Sequence, residues 1–392
     1  MRKRLFFVFF TSMISFGVSE ALAESGDDGN IHWDLTDSVL TITKKEGSQS
    51  GVMPDYAYNA APWYTSRDSI RSIVVDNSVT SIGNNAFRDT SKLENISISE
   101  GITSIGQWAF SGSSLPSINL PSTLNNIASS AFMNAKQLDN VTIPSGVTKI
   151  EMQTFYNNSS LTNITIPEGV TLIGSSAFYG AKNLQSVTLP STLQYIQNAA
   201  FQGATSLTSI EIPEGVISIG STAFQSAKNL QSITLPSTLK SIENYAFNGT
   251  NSLTTLTIPE GITSIGNYAF AYMYGLEKLY CPKPPSNSVS ICSGKGYTGT
   301  IIDYEKEGDL YKIGNTYYAS VSDMQSNTSC GSQTECEAAI RGETMQQNSD
   351  GSTTIYNADG TIKGFKNKRI YTVQEAEKLS KPTGNTFKLR YK

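Results

Sequence analysis

The sequence predicts a β-rich α/β solenoid: about nine stacked units of 22–23 residues, an N-terminal cap and a C-terminal β-rich module. Three observations predict it. Phenylalanine recurs at Phe87, Phe110, Phe132, Phe155, Phe178, Phe201, Phe224, Phe247 and Phe270, every interval being 23 residues except one of 22. A fixed period of that size marks a stacked-repeat architecture. Within each unit a short apolar-polar-apolar segment ends in proline or a turn, as in Val187-Thr-Leu189-Pro190 and Ile233-Thr-Leu235-Pro236. Both ends of the periodic region are flanked by sequence that lacks the period.

The chain opens with Arg2-Lys-Arg4, an apolar run from Leu5 to Val18, and Ala21-Leu22-Ala23. Basic start, short apolar run and A-x-A site read as a secretory signal peptide over residues 1–23, with cleavage expected after Ala23. The run is too short to span a bilayer as a helix. No second long apolar stretch follows, so no transmembrane segment is expected in the mature chain.

Residues 24–75 are expected to form the cap. An open solenoid end exposes apolar rungs and unpaired strand edges. Trp33, Trp63 and several tyrosines supply a plug for the first unit.

Residues 76–285 are the solenoid. Compare Leu184-Gln-Ser-Val187-Thr-Leu189-Pro190-Ser-Thr-Leu193-Gln-Tyr-Ile196, ending Ala200-Phe201, with Leu230-Gln-Ser-Ile233-Thr-Leu235-Pro236-Ser-Thr-Leu239-Lys-Ser-Ile242, ending Ala246-Phe247. The segment before proline alternates at period two and reads as a strand. Proline ends it, because it has no N–H for the ladder. The V/I/L-x-x-I segment predicts a second short extended stretch. Ala-Phe is expected in a tight helical turn, its ring in the core. No single unit can close a core, so stacking must align the Leu, Ile and Phe columns. Nine units at a strand spacing of ~4.8 Å make a stack about 43 Å long, with one parallel sheet expected along one side.

A double period lies within the single one. Lys136, Lys182 and Lys228 recur in alternate units, as do Glu168, Glu214 and Glu260 after proline. Duplication of a two-unit segment accounts for this. A cation site on the glutamate column is the other reading.

Residues 286–392 lack the repeat and read as a C-terminal β-rich module or as a tail. Thr353-Thr-Ile355-Tyr and Thr361-Ile-Lys363, joined through Asp359-Gly360, predict a β-hairpin. Residues 373–379 read as one helical stretch and residues 387–392 as a terminal strand. Basic residues cluster from Lys363 to Arg369, a patch suited to an acidic polymer or surface. Cys281, Cys292, Cys330 and Cys336 all lie beyond the last Phe of the series. Their even number in an exported chain suggests disulfides. Pairing neighbours, 281 with 292 and 330 with 336, is the first of three connectivities, and free thiols remain open. The spacings form no zinc pattern.

The repeat frame resembles the leucine-rich repeats of the BspA-like surface-protein family. Ile212-Pro-Glu-Gly-Val216 with Ile219-Gly220, and Ile258-Pro-Glu-Gly-Ile-Thr-Ser-Ile-Gly266, carry the resemblance. So do His32-Trp33, Ala61-Pro-Trp63 and Ile70-Arg-Ser-Ile73 in the cap, and Leu276-Glu-Lys-Leu279-Tyr-Cys281-Pro282 at the close. One departure stands out. The family often carries cysteine three residues after the Phe, where this chain has Thr90, Ser113, Ala135, Asn158, Ala181, Ala204, Ala227 and Thr250. That argues against a redox or metal role for the stack. The resemblance also implies that Cys281 can serve as a small buried hydrophobe.

Function is narrowed mainly by exclusion. The net charge is −4 and no basic stripe crosses the repeats, so no nucleic-acid partner is expected. His32 is the sole histidine and lies at the start of the mature chain, which removes His-based triads. No catalytic residue, cofactor or metal is assigned. The candidate binding face is the polar side of the strands: Thr142, Thr165, Thr188, Glu211, Thr234 and Thr257. Threonine also simply suits an exposed pleat. A second patch, formed by Trp108, Tyr179, Tyr195, Tyr245 and Tyr268, lies elsewhere in the unit. The resemblance implies a secreted or cell-surface, adhesion-type protein whose partner is a host or matrix protein or another cell-surface macromolecule. A passive envelope component is the alternative, and an enzyme sited in the C-terminal module a weaker one. Oligomeric state is left open.

Overall fold

Each coil can be followed from its Phe, and we number rungs 1–9 from Phe87 to Phe270. The computed structural model describes residues 23–284, 289–307, 310–313, 316–318, 344–347, 353–356 and 362–366. The expected signal peptide, the 373–379 helix and the 387–392 strand lie outside the described residues.

Every rung has three walls. The front wall is a short strand, followed by proline from rung 3 onward, such as Asn163–Thr165 or Ser209–Glu211. The back wall is a two-residue strand, such as Ser218–Ile219, nine residues further on. The third wall is the Phe turn. Front and back strands pair in parallel with their counterparts one rung away, in register: Ile164 with Val187, Ile173 with Ile196, Ile219 with Ile242. A one-residue slip would turn each apolar side chain to solvent.

The rings of Phe110 to Phe247 stack at 5.3–5.5 Å with interplanar angles of 2–9°, all fully buried. This is the spine the sequence period predicts. The Leu column from Leu93 to Leu276 and the back-wall Ile column from Ile82 to Ile265 are buried beside it. Polar residues also enter the core. Thr90 and Thr250 hydroxyls donate to the carbonyls of Phe87 and Phe247, each at 2.9 Å. The Asn158 amide is buried with no hydrogen-bond partner among the described residues.

Two expectations need correction. The Phe turn is not helical. The residues two before and two after each Phe take left-handed backbone angles, as at Trp108 (φ 55°), Ala199 (φ 57°), Tyr245 (φ 58°), Gly180 (φ 69°) and Gly203 (φ 74°). Left-handed geometry costs a non-glycine residue roughly 1–2 kcal/mol. Hydrogen bonds between rungs hold it: Asn85, Phe87 and Asp89 donate their N–H groups to the carbonyls of Gln107, Ala109 and Ser111, each at 2.8 Å. A helix would direct those groups along its own axis instead. Among the described residues one 3₁₀ helix, Tyr64–Ser69, is the sole helical segment, so the solenoid is β throughout.

Nor is there one sheet on one side. The back wall forms a three-stranded sheet over rungs 1–3 and a six-stranded sheet over rungs 4–9. From rung 3 onward the front wall is divided into two-strand pairs, Ser117–Asn119 with Asn140–Thr142, Asn163–Thr165 with Ser186–Thr188, and Ser209–Glu211 with Ser232–Thr234.

The N-terminal cap is an antiparallel meander of Glu24–Asp28, Ile31–Thr36 and Val39–Lys44, turned by Asp37 and Ser38, both at positive φ. Val39–Lys44 then pairs in parallel with Ser72–Val75, the front strand of rung 1, which hands the sheet to rung 2 at Asn95–Ile98. At the other end Lys278–Pro282 pairs with Thr255–Thr257, and Thr300–Glu307 pairs in parallel with Lys278–Pro282. Leu310–Ile313 and Thr316–Tyr318 continue antiparallel. The sheet thus runs on past residue 285. The buried Tyr304 hydroxyl donates to the Ile258 carbonyl at 2.7 Å. Thr353–Tyr356 and Ile362–Lys366 pair antiparallel, with Thr344–Gln347 as a third strand.

Candidate functional site

Stacking in register lines up every outward residue of the front strands. Thr142, Thr165, Thr188, Glu211 and Thr234 are exposed, and Thr257 is half-buried. The residues two positions earlier, including Asn163, Ser186 and Ser209, share this face, because strand side chains alternate. Ser186 Oγ donates to Asn163 Oδ1 at 2.6 Å, linking two rungs across the surface. Among the six predicted face residues Glu211 alone is charged. The face is a lattice of exposed hydroxyls and amides aligned from rung to rung.

The corner between front and back walls explains the double period. Ser191 N–H donates to Glu168 Oε1 at 3.0 Å and Ser191 Oγ–H to Glu168 Oε2 at 2.9 Å. Gly169 N–H donates to Thr192 Oγ1 at 3.0 Å, and that hydroxyl donates to the Val170 carbonyl at 2.9 Å. The same clasp recurs from Glu214 to Ser237 and Thr238, and from Glu100 to Ser122 and Thr123. In each, the glycine after the glutamate sits at φ 96–104°. Backbone N–H bonds from the next rung's serine hold all three carboxyls below the usual glutamate range. Glu260 has the same Pro-Glu-Gly context, but the next coil offers Pro282-Lys283 in place of Pro-Ser-Thr. The alternation is thus a clasp between rung pairs. A duplication alone does not require it, and the clasped carboxylates already have their donors, so the column is not an array of free cation ligands.

Aromatic residues outside the Phe spine are found in three places. Tyr179 stacks on Tyr156 at 4.7 Å and is half-buried. Near the N-terminal end, the Arg88 guanidinium lies 4.3 Å from the Tyr58 ring and 5.9 Å from Trp108, and Arg67 lies 4.1 Å from Tyr64. Tyr245 and Tyr268 stack at 5.2 Å at the opposite end. Tyr272 and Tyr274 follow, 6.2 Å apart. The sequence reading named Tyr245 and Tyr268 but missed Tyr272 and Tyr274, although Tyr272 stands two after Phe270, at a left-handed position of the turn.

A disulfide joins Cys281 to Cys292, both fully buried. Cys330 and Cys336 lie outside the described residues. A shallow open groove of about 590 Å³ is lined by Asp27, His32, Thr43, Lys44, Lys45, Glu46 and Gly47. There His32 Nδ1 sits 2.8 Å from Asp27 Oδ1, a hydrogen bond that lowers the Asp27 carboxyl. The lining holds no nucleophile paired to a base, the minimum for acyl or glycosyl transfer. Among the described residues no group of three His, Cys, Asp or Glu is placed to hold a metal, and no helix is long and apolar enough to cross a membrane.

Three comparisons with known proteins bear on this architecture. The family described as "BspA type Leucine rich repeat region (6 copies)" matches residues 62–184 and 171–291, more than half of the 392-residue chain. No curated protein matches the chain. Among solved structures, the chain is 24% identical to a leucine-rich cell surface protein from Faecalibacterium prausnitzii, covering 73% of this chain and 95% of that one at a TM-score of 0.36. It is 22% identical to the pneumococcal vaccine antigen PcpA, covering 66% and 81% at a TM-score of 0.42. A leucine-rich repeat protein from Eubacterium ventriosum is 21% identical, covering 70% and 100% at a TM-score of 0.36. On the extent of the family match, the chain belongs to the BspA-type leucine-rich repeat family.

Proposed function

We propose that this protein is exported to the cell surface and works there as a non-catalytic binding scaffold of the adhesion type, its partner a host, matrix or cell-surface macromolecule. The observation that carries the reading is the front wall: a flat, exposed, almost uncharged lattice of Thr, Ser and Asn held rigid by a continuous buried spine. Such a surface offers many aligned hydrogen-bonding groups to a broad partner and none of the enclosure that a small substrate needs. The signal-like start and the expected cleavage after Ala23 support export. The cell-surface description of the Faecalibacterium protein is in keeping with that placement.

The test is a binding isotherm. Mature protein immobilised at defined density is titrated with purified matrix proteins and with extracts of candidate host cells. Saturable binding that falls at least tenfold when Thr165, Thr188 and Thr234 are replaced by lysine is expected, since three desolvated charges oppose docking. Unsaturable binding, or binding indifferent to these substitutions, returns the protein to a passive envelope role.

A further inference from the structure

The glutamate clasps account for one half of the double period and leave the lysines unexplained. Lys136, Lys182 and Lys228 each stand four residues after the Phe of rungs 3, 5 and 7, on the edge between the Phe turn and the front wall. The rungs between them place Ser159 and Thr205 at the same position. Register holds along this column as it does in the strands: Thr205 Oγ1 donates to the Lys182 carbonyl at 3.2 Å, across one rung. The three lysines are exposed, and Ser159 and Thr205 are half-buried. Among the described residues no carboxylate forms an ion pair with any of the three. Asp139 follows Lys136 by three residues, but at the equivalent places Lys182 and Lys228 are followed by Gln185 and Gln231. In a chain of net charge −4, this edge runs against the general sign.

Two rungs span about 10 Å at the usual strand spacing. The Phe rings of rungs 3 to 7 agree, with centroids 5.3–5.5 Å apart per rung. Their interplanar angles are only 4–9°, so the edge stays nearly straight. The column thus reads charge, hydroxyl, charge, hydroxyl, charge over about 20 Å. At physiological salt the screening length is about 8 Å, so a small anion feels one lysine at a time. One exposed ion pair of that kind is worth little. A linear anion that reaches all three lysines makes its second and third contacts as intramolecular events, at high effective concentration.

We propose that this lysine column binds a linear acidic polysaccharide carrying one carboxylate per disaccharide. A sugar ring linked head to tail advances by roughly the 5 Å of one rung. Each charged ring then falls on a lysine, and each neutral ring falls on Ser159 or Thr205. The ammonium groups take the carboxylates, and the hydroxyls between them offer hydrogen bonds to the neutral sugars. Poly-glutamate and a nucleic-acid strand repeat at about 3.3 and 3.4 Å per unit, so most of their anions find no lysine. The column lies on a different edge from the strand face, and the inference holds whether or not that face binds a partner.

The experiment titrates the full mature chain with hyaluronan oligosaccharides, which carry one carboxylate per disaccharide and no sulfate. An octasaccharide, long enough to meet three lysines, should bind about fivefold more tightly than a tetrasaccharide, which meets two. Added salt should weaken both. Lys182→Gln should cost the octasaccharide about fivefold, the worth of one well-placed ion pair. The decisive variant is Lys182→Ser with Thr205→Lys, which keeps the charge but moves it one rung out of step. It should lose as much as Lys182→Gln. Its thermal midpoint should match wild type, because rungs 3, 5 and 7 already carry lysine at that position. No binding of the octasaccharide overturns the proposal. Full retention by the shifted variant overturns it too, since any surface charge then serves. Equal affinity for poly-glutamate of the same charge also overturns it, because the partner is then an acidic protein.

Discussion

Both ends of this solenoid must hide an apolar rung, and they do it by different means. At the start, Trp63 is a substitute rung. Its ring lies 5.9 Å from Phe87 and its Nε1–H donates to the Ala86 carbonyl at 2.7 Å. In later rungs the carbonyl before Phe accepts the Phe N–H of the preceding rung, as Ala109 does from Phe87. The indole thus replaces both the missing ring and the missing donor. Trp33 and Tyr56 meet it edge-on at 6.0 and 5.5 Å. At the finish no ring among the described residues stacks on the outer side of Phe270, and the Phe247–Phe270 spacing widens to 6.3 Å. Backbone and a covalent link close that end. Lys295 offers its carbonyl to the Phe270 N–H at 3.0 Å, and the Cys281–Cys292 disulfide fixes the segment that carries it. Gly296 sits at φ 89°, where a side chain would start 2.7 Å from the Ala271 methyl. One end is sealed by packing and the other by constraint.

The sharpest way to break this comparison is Trp63→Ala. Loss of a buried aromatic costs about 3–5 kcal/mol, and here it also strips the Ala86 carbonyl of its donor. We expect denaturant unfolding to shift by that amount and hydrogen exchange to rise first in rungs 1 and 2, since neighbours in a solenoid depend on one another. Phe270→Ala, at the end already held by constraint, should cost less. Equal losses at the two ends would mean that Trp63 is no more than one more ring.

The disulfide comes next. Closing a loop with a sequence separation of 11 residues stabilises by roughly 2–3 kcal/mol on the chain-entropy account. Cys281→Ser with Cys292→Ser should raise exchange in rungs 8 and 9 and leave rungs 1 to 3 untouched. Uniform loosening along the whole stack would instead make the solenoid a single cooperative unit, in which the manner of closing an end has no local meaning.

These contrasts also show which features can be read from sequence. The Phe spine, both short strands and the Trp63 plug are legible because each rests on one residue type at a fixed spacing. The handedness of the Phe turn is not, because it is set by hydrogen bonds to a neighbouring coil. Within one coil, Asn85, Trp108 and Ala199 give no common signal that they share a left-handed position. The glutamate clasp is half-legible: Glu168 and Ser191 alternate visibly, but only stacking shows that one receives the other's N–H. The strand face is legible as a surface and silent as to its ligand, because threonine is equally at home on an idle pleat.

A smaller effect separates clasped from unclasped rungs. The Glu100, Glu168 and Glu214 carboxyls are depressed from the ordinary glutamate value of 4.5, chiefly by serine N–H donors. A group whose pKa is lower in the folded state adds stability that is present above its unfolded pKa. That stability is lost as pH falls through the folded value, so the clasps should weaken from about pH 4.5 downward. Glu100→Gln with Glu168→Gln and Glu214→Gln should lower the thermal midpoint at pH 6 and narrow the gap to wild type by pH 3. A gap that stays constant with pH would show that the carboxylate charge plays no part and that the clasp acts through shape alone.

The smallest effect bears on the tyrosine end itself. Tyr268→Asn removes the stack on Tyr245, worth about 0.5–1.5 kcal/mol. It also relieves a left-handed backbone strain of similar size, because asparagine tolerates that conformation. Asn85 already occupies the equivalent place in rung 1, at φ 56°. The two terms nearly cancel, so the unfolding midpoint should move by less than about 1 kcal/mol in either direction. Trp63 and Tyr268 would then mark opposite uses of an aromatic ring at a solenoid end, one holding the fold together and one displayed for contact. A loss of several kcal/mol from Tyr268→Asn would erase that distinction, since the ring would then be part of the seal.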